Sequence, residues 1–270
     1  MRNSEFKVEL KYLAAGENNA QIRPSVAGGE QASEQGEFSM HLVEMHSARG
    51  LETSLDREGF VVAEHQTRVT DFYDDQQIAD VYEDEIAGIV TRTCSAAKVV
   101  IFDHTRRASS VNTRQARNIR EHASTIHNDY DAESGLQRLR EINPSLADQY
   151  AQKRFAIVNV WRSINGDIEN YPLSFCDASS VSPDDLVSVQ RVAKDRVGAL
   201  QLARHNPNHR WLYFPHMSGN ELLLFKVFDS AEDGRARFTI HTSFDDPTAL
   251  SNAKPRESIE TRCFVFFDGE

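Results

Sequence analysis

A histidine and an aspartate two residues apart, His127 and Asp129, are the clearest candidates for metal chemistry in the sequence. Side chains alternate along an extended strand, so these two would project from the same face. An imidazole and a carboxylate on one face form two thirds of the set that holds iron in non-haem oxygenases. The chain has 10 histidines and 41 acidic residues, so one such pair also arises by chance. The hypothesis therefore needs a third ligand.

Downstream histidines are the candidates for that third ligand. His205 and His209 lie in a polar, loop-like stretch, and His216 follows a proline at the end of a predicted strand. His241 lies near the end of a predicted strand, just before the polar residues 245–246. Binding and catalytic residues are concentrated where rigid strands open onto loops, which favours His241. A hydrogen-bonded structural histidine is the alternative interpretation of each.

An arginine and a serine, Arg256 and Ser258, follow His241 by fifteen residues and begin the last predicted strand. Their spacing of two places them on one strand face. A guanidinium pairs with a carboxylate through two hydrogen bonds, and a nearby hydroxyl can donate a third. Many 2-oxoglutarate oxygenases hold the distal carboxylate of the cosubstrate in this way. Arg262 is the alternative arginine for that role, and a surface side chain is the alternative interpretation of Arg256.

Four further residues are weaker candidates for catalysis or substrate binding. Asn159 and Arg162 lie three apart on one predicted strand, so a regular strand would turn at most one of them inward. Arg162 could bind a carboxylate or form a salt bridge at the rim. His104 and Arg107 end a predicted strand and could line the mouth of a pocket or belong to a structural polar network. The arginines between 106 and 120 could attract an anionic substrate or lie on a solvated loop.

The elements that must position these residues are mostly strands. Alternating or β-branched apolar runs predict strands at 6–13, 41–46, 60–62, 96–105, 153–164, 172–181, 210–217, 222–230, 235–244 and 258–267, with one more around His127. The strand at 96–105 is expected to be buried. Asn165 and Gly166 predict a turn that returns the chain from 153–164 to 172–181.

Helices and loops occupy the remaining stretches. Apolar residues at helical spacing predict a helix from about 70 to 93, capped by Thr70 or Asp71. A shorter helix is predicted at 134–146, capped by Asp131 or Ser134, with Pro144 marking its end or a new start. Loops are expected at 15–37 and 106–125, and the type of 183–204 stays open. This pattern favours a β-rich α+β fold, a β-sandwich or jelly roll with flanking helices, in a single domain of residues 1–270. Within it, residues 1–95 would pack on a core formed by 96–270.

Composition excludes several classes of function. The 270 residues are 40% hydrophobic and 26% charged, as in a globular protein. A net charge of -11 argues against nucleic-acid binding, which needs a basic face.

No apolar run approaches the ~18 residues that cross a membrane, and the first ten residues are too polar for a secretory signal. Three scattered cysteines without CxxC spacing suggest free thiols in the cytoplasm. Nucleotide-binding glycine motifs, GxSxG and zinc-type cysteine clusters are absent from the sequence.

Several longer segments resemble one enzyme family. They are HNDYDAESGLQRLR, FAIVNVWRSINGDIENYPLSFCDASSV, RWLYFPHMSGNELLLFKVFDS, RFTIHTSFDDP and PRESIETRCFVFF, together with LDREGF, VTDFYD and VVIFDHTRR nearer the N-terminus. These segments are similar to the hydroxylase/desaturase family that includes the hydroxylase component of cephamycin 7α-methoxylation and fungal enzymes of secondary metabolism. The similarity extends over nearly the whole chain.

The resemblance implies a double-stranded β-helix (a jelly roll, cupin-like) that uses Fe(II), 2-oxoglutarate and O2. It implies His127, Asp129 and His241 as iron ligands and Arg256 with Ser258 as 2-oxoglutarate binders. The expected reaction is hydroxylation or desaturation of a small molecule, secondary-metabolite or amino-acid-like, with decarboxylation of 2-oxoglutarate to succinate. The alternatives are a metal-dependent oxidoreductase of the same fold that does not use 2-oxoglutarate, and a β-sandwich ligand-binding protein without enzymatic activity.

Overall fold

Two β-sheets form the frame of the protein. The computed structural model describes residues 5–150, 153–194 and 196–268. The strands of this part of the chain, in order, are β1 (Phe6–Leu13), β2 (Gln21–Arg23), β3 (Ser33–Gln35), β4 (Phe38–Ser47), β5 (Phe60–Glu64), β6 (Lys98–Ala108), β7 (Arg120–Glu121), β8 (His127–Asn128), β9 (Phe155–Ser163), β10 (Leu173–Cys176), β11 (Leu186–Val192), β12 (Val197–Ala203), β13 (Trp211–Tyr213), β14 (Glu221–Asp229), β15 (His241–Ser243) and β16 (Glu257–Phe266). The helices are α1 (Asp75–Gln77), α2 (Glu83–Cys94), α3 (Val111–Arg117), α4 (Ser134–Ile142) and α5 (Pro144–Gln149).

The larger sheet has the strand order β1-β4-β13-β10-β15-β8-β12-β11-β2-β3, and the smaller has β5-β14-β9-β16-β6-β7. Neighbouring strands are antiparallel except for the pairs β2/β11, β4/β13 and β6/β7. The N-terminal strands β1 and β4 extend the larger sheet through β13. Two facing, mainly antiparallel sheets confirm the predicted jelly-roll class.

Apolar side chains cover both faces of the smaller sheet. Every residue of β9 is buried, which explains why its sequence is an almost continuous apolar run. One face packs between the sheets, with Phe155, Ile157 and Trp161 in that cluster. The other face, with Val158 and Val160, packs against the helical segment that follows β5. The smaller sheet is therefore a rigid platform for the polar side chains that interrupt it.

The long helix predicted at 70–93 begins at Asp75, five residues after its predicted start. Asp74 caps it, because its carboxylate accepts hydrogen bonds from the N–H groups of Gln76 and Gln77. Thr70 instead contacts the Gln77 side chain. A π-helical turn, Ile78–Tyr82, connects α1 to α2, and α2 ends where Ser95 adopts a left-handed conformation. Neither Thr70 nor Asp71 is the cap, so that prediction was wrong.

The predicted loop at 106–125 contains regular structure. β6 continues to Ala108, Ser110 caps α3, and Arg120 and Glu121 form β7. β6 is also half-buried and not fully buried, because one of its faces lines a cavity. The arginines of this region therefore lie on ordered elements and not on a solvated loop.

Other boundaries also differ from the predictions. The chain leaving β9 crosses to the other sheet, so β10 pairs with β13 and β15 and not with β9. An Asn-Gly step favours a turn but does not decide which strand comes next to it. The loop at 15–37 contains the short strands β2 and β3, and the open stretch 183–204 contains the hairpin of β11 and β12.

The single helix predicted at 134–146 is two helices. Pro144 starts the second one, since its fixed φ suits a first helical turn, and Asn143 caps it. Asp131 accepts a hydrogen bond from the Ser134 N–H at the start of α4. Strand β15 is shorter than the predicted 235–244. In the part of the chain that the structure describes, no helix is both long and apolar enough to cross a membrane.

Candidate metal centre

Two neighbouring strands bring the predicted metal ligands together. β8 and β15 pair antiparallel, with His127 directly opposite His241. Asp129 follows β8 at once, and its Oδ1 lies 3.8 Å from His127 Nε2. One ligand atom from each of the three residues lies within 4.8 Å of the others, and the two imidazole centroids are 4.5 Å apart. The structure thus assembles a two-histidine, one-carboxylate group.

Backbone carbonyls fix the orientation of both imidazoles. His127 Nδ1 lies 2.8 Å from the Thr125 carbonyl oxygen, and His241 Nδ1 lies 2.9 Å from the Thr239 carbonyl oxygen. A carbonyl can only accept a hydrogen bond, so each Nδ1 must carry the proton. Each Nε2 then presents its lone pair to the shared centre. This is the arrangement by which proteins orient metal-binding histidines.

The Asp129 carboxylate is held through one of its two oxygens. Oδ2 accepts hydrogen bonds from Asn159 Nδ2 at 2.7 Å and from Arg262 Nε at 3.2 Å. Oδ1 faces His127. A metal at the centre would therefore find one carboxylate oxygen already committed and the other directed toward the histidines.

The electrostatics of the centre match the needs of a metal. Burial, reinforced by the charge of His241, lowers the pKa of His127 to about 4. Burial also lowers the pKa of His241. Burial would raise the pKa of Asp129, but the charges of Arg262 and the two histidines hold it well below its usual range. Two neutral imidazoles and one carboxylate at neutral pH are the protonation states that metal binding requires, so the three residues fit a divalent ion such as Fe(II).

A polar grid on the smaller sheet faces this centre. Strand pairing places β16 between β9 and β6 in register. The three rows of the grid, each read from β9 through β16 to β6, are Ser163–Ser258–Arg107, Trp161–Glu260–Thr105 and Asn159–Arg262–Asp103. Asn159 and Arg262 are the members that contact the metal group directly.

Arg262 is fully engaged by acidic neighbours. Besides Asp129, it forms ion pairs with Asp103 and Glu260, and it donates a hydrogen bond to Thr105 at 3.1 Å. Burial would lower the pKa of Arg262, but these acids raise it well above its ordinary value. Its charge is therefore neutralised within the protein, and four of its five N–H groups already have acceptors, which makes it a poor partner for the carboxylate of a cosubstrate.

Arg256, in contrast, forms no ion pair with an acid among the described residues. Its side chain is buried, one amino group donates a hydrogen bond to the Tyr171 carbonyl, and its Cζ lies 5.4 Å from the centre of the Trp161 ring. Its Nε and the Ser258 hydroxyl have no hydrogen-bond partner among the described residues. Burial, reinforced by the charge of Arg107, lowers the pKa of Arg256 to about 9. A buried cation with orphaned donors is costly, which indicates a place prepared for an anion.

An open cavity of about 610 Å³ leads to the centre. Its wall includes His127, Asp129, Arg107 and Arg262. Arg256 and Ser258 lie behind this wall, where Arg107 pairs across the ladder with Ser258.

Two of the weaker candidates lie away from the cavity. Arg162 donates a hydrogen bond to the Gly219 carbonyl and lies over the Phe72 ring, and the two nitrogens of His104 contact Thr261 and Glu83. Both side chains project to the outer face of the smaller sheet, beneath the helices. The spacing of three between Asn159 and Arg162 predicted that only one could face inward, and Asn159 is that one.

Some important residues were missed from the sequence. Asn128 is buried, and its amide contacts Tyr130, Gln201 and Val227 while its oxygen accepts from the Thr239 N–H. It therefore ties β8 to the residue whose carbonyl orients His241. Glu260 was missed as well, although its spacing of two from both Ser258 and Arg262 on the last strand places all three on one face.

Comparisons with known proteins agree with this architecture. A family model described as an oxidoreductase/YMDC permease-like domain matches residues 10–266. The hydroxylase/desaturase CTB9 of Cercospora beticola is 31% identical over 267 residues, which cover 90% of this chain and 82% of that protein. The alpha-ketoglutarate-dependent dioxygenase phiK of a fungal species is 27% identical and covers 83% of both chains.

A solved structure gives the same result for the fold. The iron and alpha-ketoglutarate-dependent endoperoxidase NvfI superimposes with a TM-score of 0.83 at 23% identity, over 97% of each chain. This match confirms the predicted double-stranded β-helix. The similarity to the cephamycin hydroxylase component stays a prediction. With a family model that covers almost the whole chain and a 31% identical relative, the chain belongs to the oxidoreductase family of the fungal hydroxylase/desaturases and 2-oxoglutarate-dependent dioxygenases.

Proposed function

We propose that the protein is a non-haem Fe(II)- and 2-oxoglutarate-dependent oxygenase that hydroxylates or desaturates a small molecule. It consumes O2 and decarboxylates 2-oxoglutarate to succinate. The observation that carries this proposal is the group of His127, Asp129 and His241, whose ligand atoms lie within 4.8 Å of one another beside an open cavity. Membership of the family supports the cosubstrate and the reaction type.

The three residues of this group are the proposed iron ligands. They would hold the Fe(II), which would supply an oxidation by O2 that amino-acid side chains cannot perform. The protein's own contribution is orientation. Thr125 and Thr239 hold the imidazoles through their carbonyls, while Asn159 and Arg262 hold the carboxylate. These contacts fix the ligand set before any metal binds.

Arg256 and Ser258 are the proposed partners of the distal carboxylate of 2-oxoglutarate. The support is their orphaned donors, Arg256 Nε and Ser258 Oγ, within a buried site. A carboxylate there would restore the hydrogen bonds that folding has removed and neutralise a buried charge. Arg262 is a poorer choice, because three acids already surround it. Arg107, which pairs with Ser258 in the ladder, would lie beside the same carboxylate.

One spectrum separates this function from its alternatives. Under anaerobic conditions, Fe(II) is added to the purified protein first and 2-oxoglutarate second, and the weak visible charge-transfer band of the chelate is recorded. We expect the band to appear. Iron binding without the band would favour an oxidoreductase of the same fold with another cosubstrate, and folded protein that binds no iron would favour a ligand-binding protein. Both outcomes contradict the proposal.

The free cysteines and the proposed reaction indicate where the protein acts and what it binds. The described residues include three cysteines, Cys94, Cys176 and Cys263, all of them free thiols. Free thiols suit a reducing compartment, so we propose the cytoplasm. A small-molecule substrate and O2 are the partners that the reaction needs. The net charge of -11 gives no general surface for a nucleic acid.

A further inference from the structure

The lining of the cavity has a net positive charge, although the chain as a whole is acidic. Seven basic and four acidic side chains line it, whereas the whole protein has a net charge of -11. Such an excess in an acidic chain concentrates a positive potential at one site. A cleft with this character attracts anions.

Most of the basic side chains of the cavity have acidic partners. Lys11 pairs with Glu34 at 2.5 Å, and Arg262 pairs with its three acids. Arg138 and Arg196 both pair with Glu141. The charges of Lys11 and Arg262 are therefore compensated by acids, whereas Arg138 and Arg196 share a single carboxylate.

Three arginines of the cavity form no ion pair with any described residue: Arg107, Arg120 and Arg191. Glu121, the nearest acid in the sequence to Arg120, is taken by Arg114 at 2.7 Å. Arg107 and Arg120 lie side by side in the β6/β7 ladder, although like charges in such positions repel. Arg107 lies opposite Ser258, a proposed cosubstrate-binding residue, in the ladder of β6 and β16. Arg120 and Arg191 are left for another anion.

Arg191 is half-buried on the cavity wall. It pairs across the β11/β12 ladder with Gly198, and the Arg196 guanidinium lies against that glycine. Burial, together with the charges of Arg262 and Arg120, lowers the pKa of Arg191 to about 10, and the charge of Asp129 opposes this shift. Arg191 and Arg120 line the same cavity, and neither forms an ion pair with a described residue.

An apolar track leads from the metal group to Arg191. On β12, Leu202 pairs with His127 and Gly198 pairs with Arg191, and Leu200 lies between them on the same face. All three line the cavity. Four residues of strand correspond to about 13 Å, which is an upper limit because the long Arg191 side chain can reach back along the track.

We propose that the substrate is an apolar molecule with a carboxylate, which binds between Arg191 and Arg120 while the carbon to be oxidised lies beside His127. This inference rests on the proposed function, since it names the substrate class of the same cavity. The body of the substrate lies along Leu200 and Leu202. The acid and the oxidised carbon are consequently several bonds apart, and an α-amino acid is too short to place both.

The test measures binding of matched acids and amides. The full-length protein is loaded with Mn(II), which prevents turnover, and with saturating 2-oxoglutarate, which fills the cosubstrate site. Phenylacetate, phenylbutyrate and phenyloctanoate are titrated against the corresponding primary amides by calorimetry. We expect at least one of the longer acids to bind about tenfold more tightly than its amide, because a charge-assisted pair is replaced by a neutral one. No such preference in the wild type overturns the proposal.

Variants then identify the arginines that cause the preference for acids over amides. Arg191→Gln and Arg120→Gln should bring the ratio of acid to amide affinity close to one, whereas Arg191→Lys should retain part of it. Arg140→Gln is the matched control, since Arg140 is exposed on α4 and does not line the cavity. A full preference in Arg191→Gln, or its loss in Arg140→Gln, overturns the proposal.

Failure of the substrate inference and failure of the proposed function give different results. The Fe(II)/2-oxoglutarate band reports the function and should persist in Arg191→Gln and Arg120→Gln. The acid preference, repeated with Mn(II) alone, reports the substrate site even if the band is absent. A band without an acid preference leaves the oxygenase in place and removes the acidic substrate.

Discussion

Replacing Arg256 with methionine removes a buried charge while keeping most of the side-chain volume. In the protein without metal and cosubstrate, Arg256 is only 3% exposed and forms no ion pair with a described residue. Lowering its pKa from the ordinary arginine value to about 9 corresponds to a cost of roughly 4–5 kcal/mol for the charged form. An effective dielectric above that of a dry interior reduces this cost to about 2–3 kcal/mol.

The substitution also removes favourable contacts. The hydrogen bond to the Tyr171 carbonyl and the contact with the Trp161 ring contribute roughly 1–2 kcal/mol together. The two effects nearly balance, so Arg256→Met should leave the stability of the ligand-free protein unchanged or raise it by about 1 kcal/mol. Truncation of a well-packed buried side chain would instead cost about 2–5 kcal/mol.

In contrast, Arg256→Met should reduce the stabilisation that binding of 2-oxoglutarate gives to the folded protein. A ligand present at a hundred times its Kd stabilises the folded protein by about 2.7 kcal/mol. Urea unfolding with Mn(II), in the presence and absence of 2-oxoglutarate, should show a gain of this order in the wild type and almost none in Arg256→Met. Ser258→Ala is the smaller perturbation and should lose part of the gain.

Two results would refute the reasoning. A loss of more than about 2 kcal/mol in ligand-free Arg256→Met would show that the arginine is a structural partner, well satisfied in the folded protein. A full stabilisation by 2-oxoglutarate in the variant would show that the carboxylate binds elsewhere, with Arg107 as the next candidate.

Three further predictions concern the metal group and its surroundings. His127→Ala and His241→Ala should each abolish binding of Mn(II), measured by calorimetry, while His216→Asn, an exposed control, should bind normally. Asn159→Leu should weaken metal binding about 10–100-fold without unfolding the protein, because one of the two donors to Asp129 is lost; unchanged affinity would contradict the positioning role. His122 has its pKa lowered to about 3, first by burial and then by Arg256. Its folded pKa is below the unfolded value of about 6.5, so the unfolded chain binds more protons and stability falls as the pH decreases below about 6.5. Urea unfolding of metal-free His122→Gln should lose about 2 kcal/mol less between pH 7 and pH 5 than the wild type, and equal losses would show that His122 does not contribute.

Strand periodicity made part of the site predictable. A spacing of two in His127-x-Asp129 and in Arg256-x-Ser258 places each pair on one face, whatever the surrounding fold. The same rule separated Asn159 from Arg162, one toward Asp129 and the other toward the helices. Residue pairs with a fixed backbone period can therefore be assigned to a face from the sequence alone.

Connections between strands were less predictable. Asn165 and Gly166 favour a turn, but the chain then crosses to the opposite sheet, since the choice of partner strand depends on distant hydrogen bonds. The region 106–125 has no apolar periodicity, yet β6 extends to Ala108 because β16 offers a full-length partner. Local sequence does not encode such long-range pairing.

The roles of the arginines were the least predictable feature, and acidic partners decide them. Arg262 receives acids from three separate segments, at Asp103, Asp129 and Glu260, so it serves the protein itself. Arg256 and Arg191 receive none from the described residues. The chain has 41 acidic residues against 30 basic ones, so a missing acid beside a half-buried or buried arginine does not reflect a shortage of acids. An uncompensated cation is a cost that the folded protein retains, and a carboxylate ligand removes it on binding. The same physical criterion thus supports both proposals, Arg256 as the partner of the cosubstrate and Arg191 as a partner of the substrate.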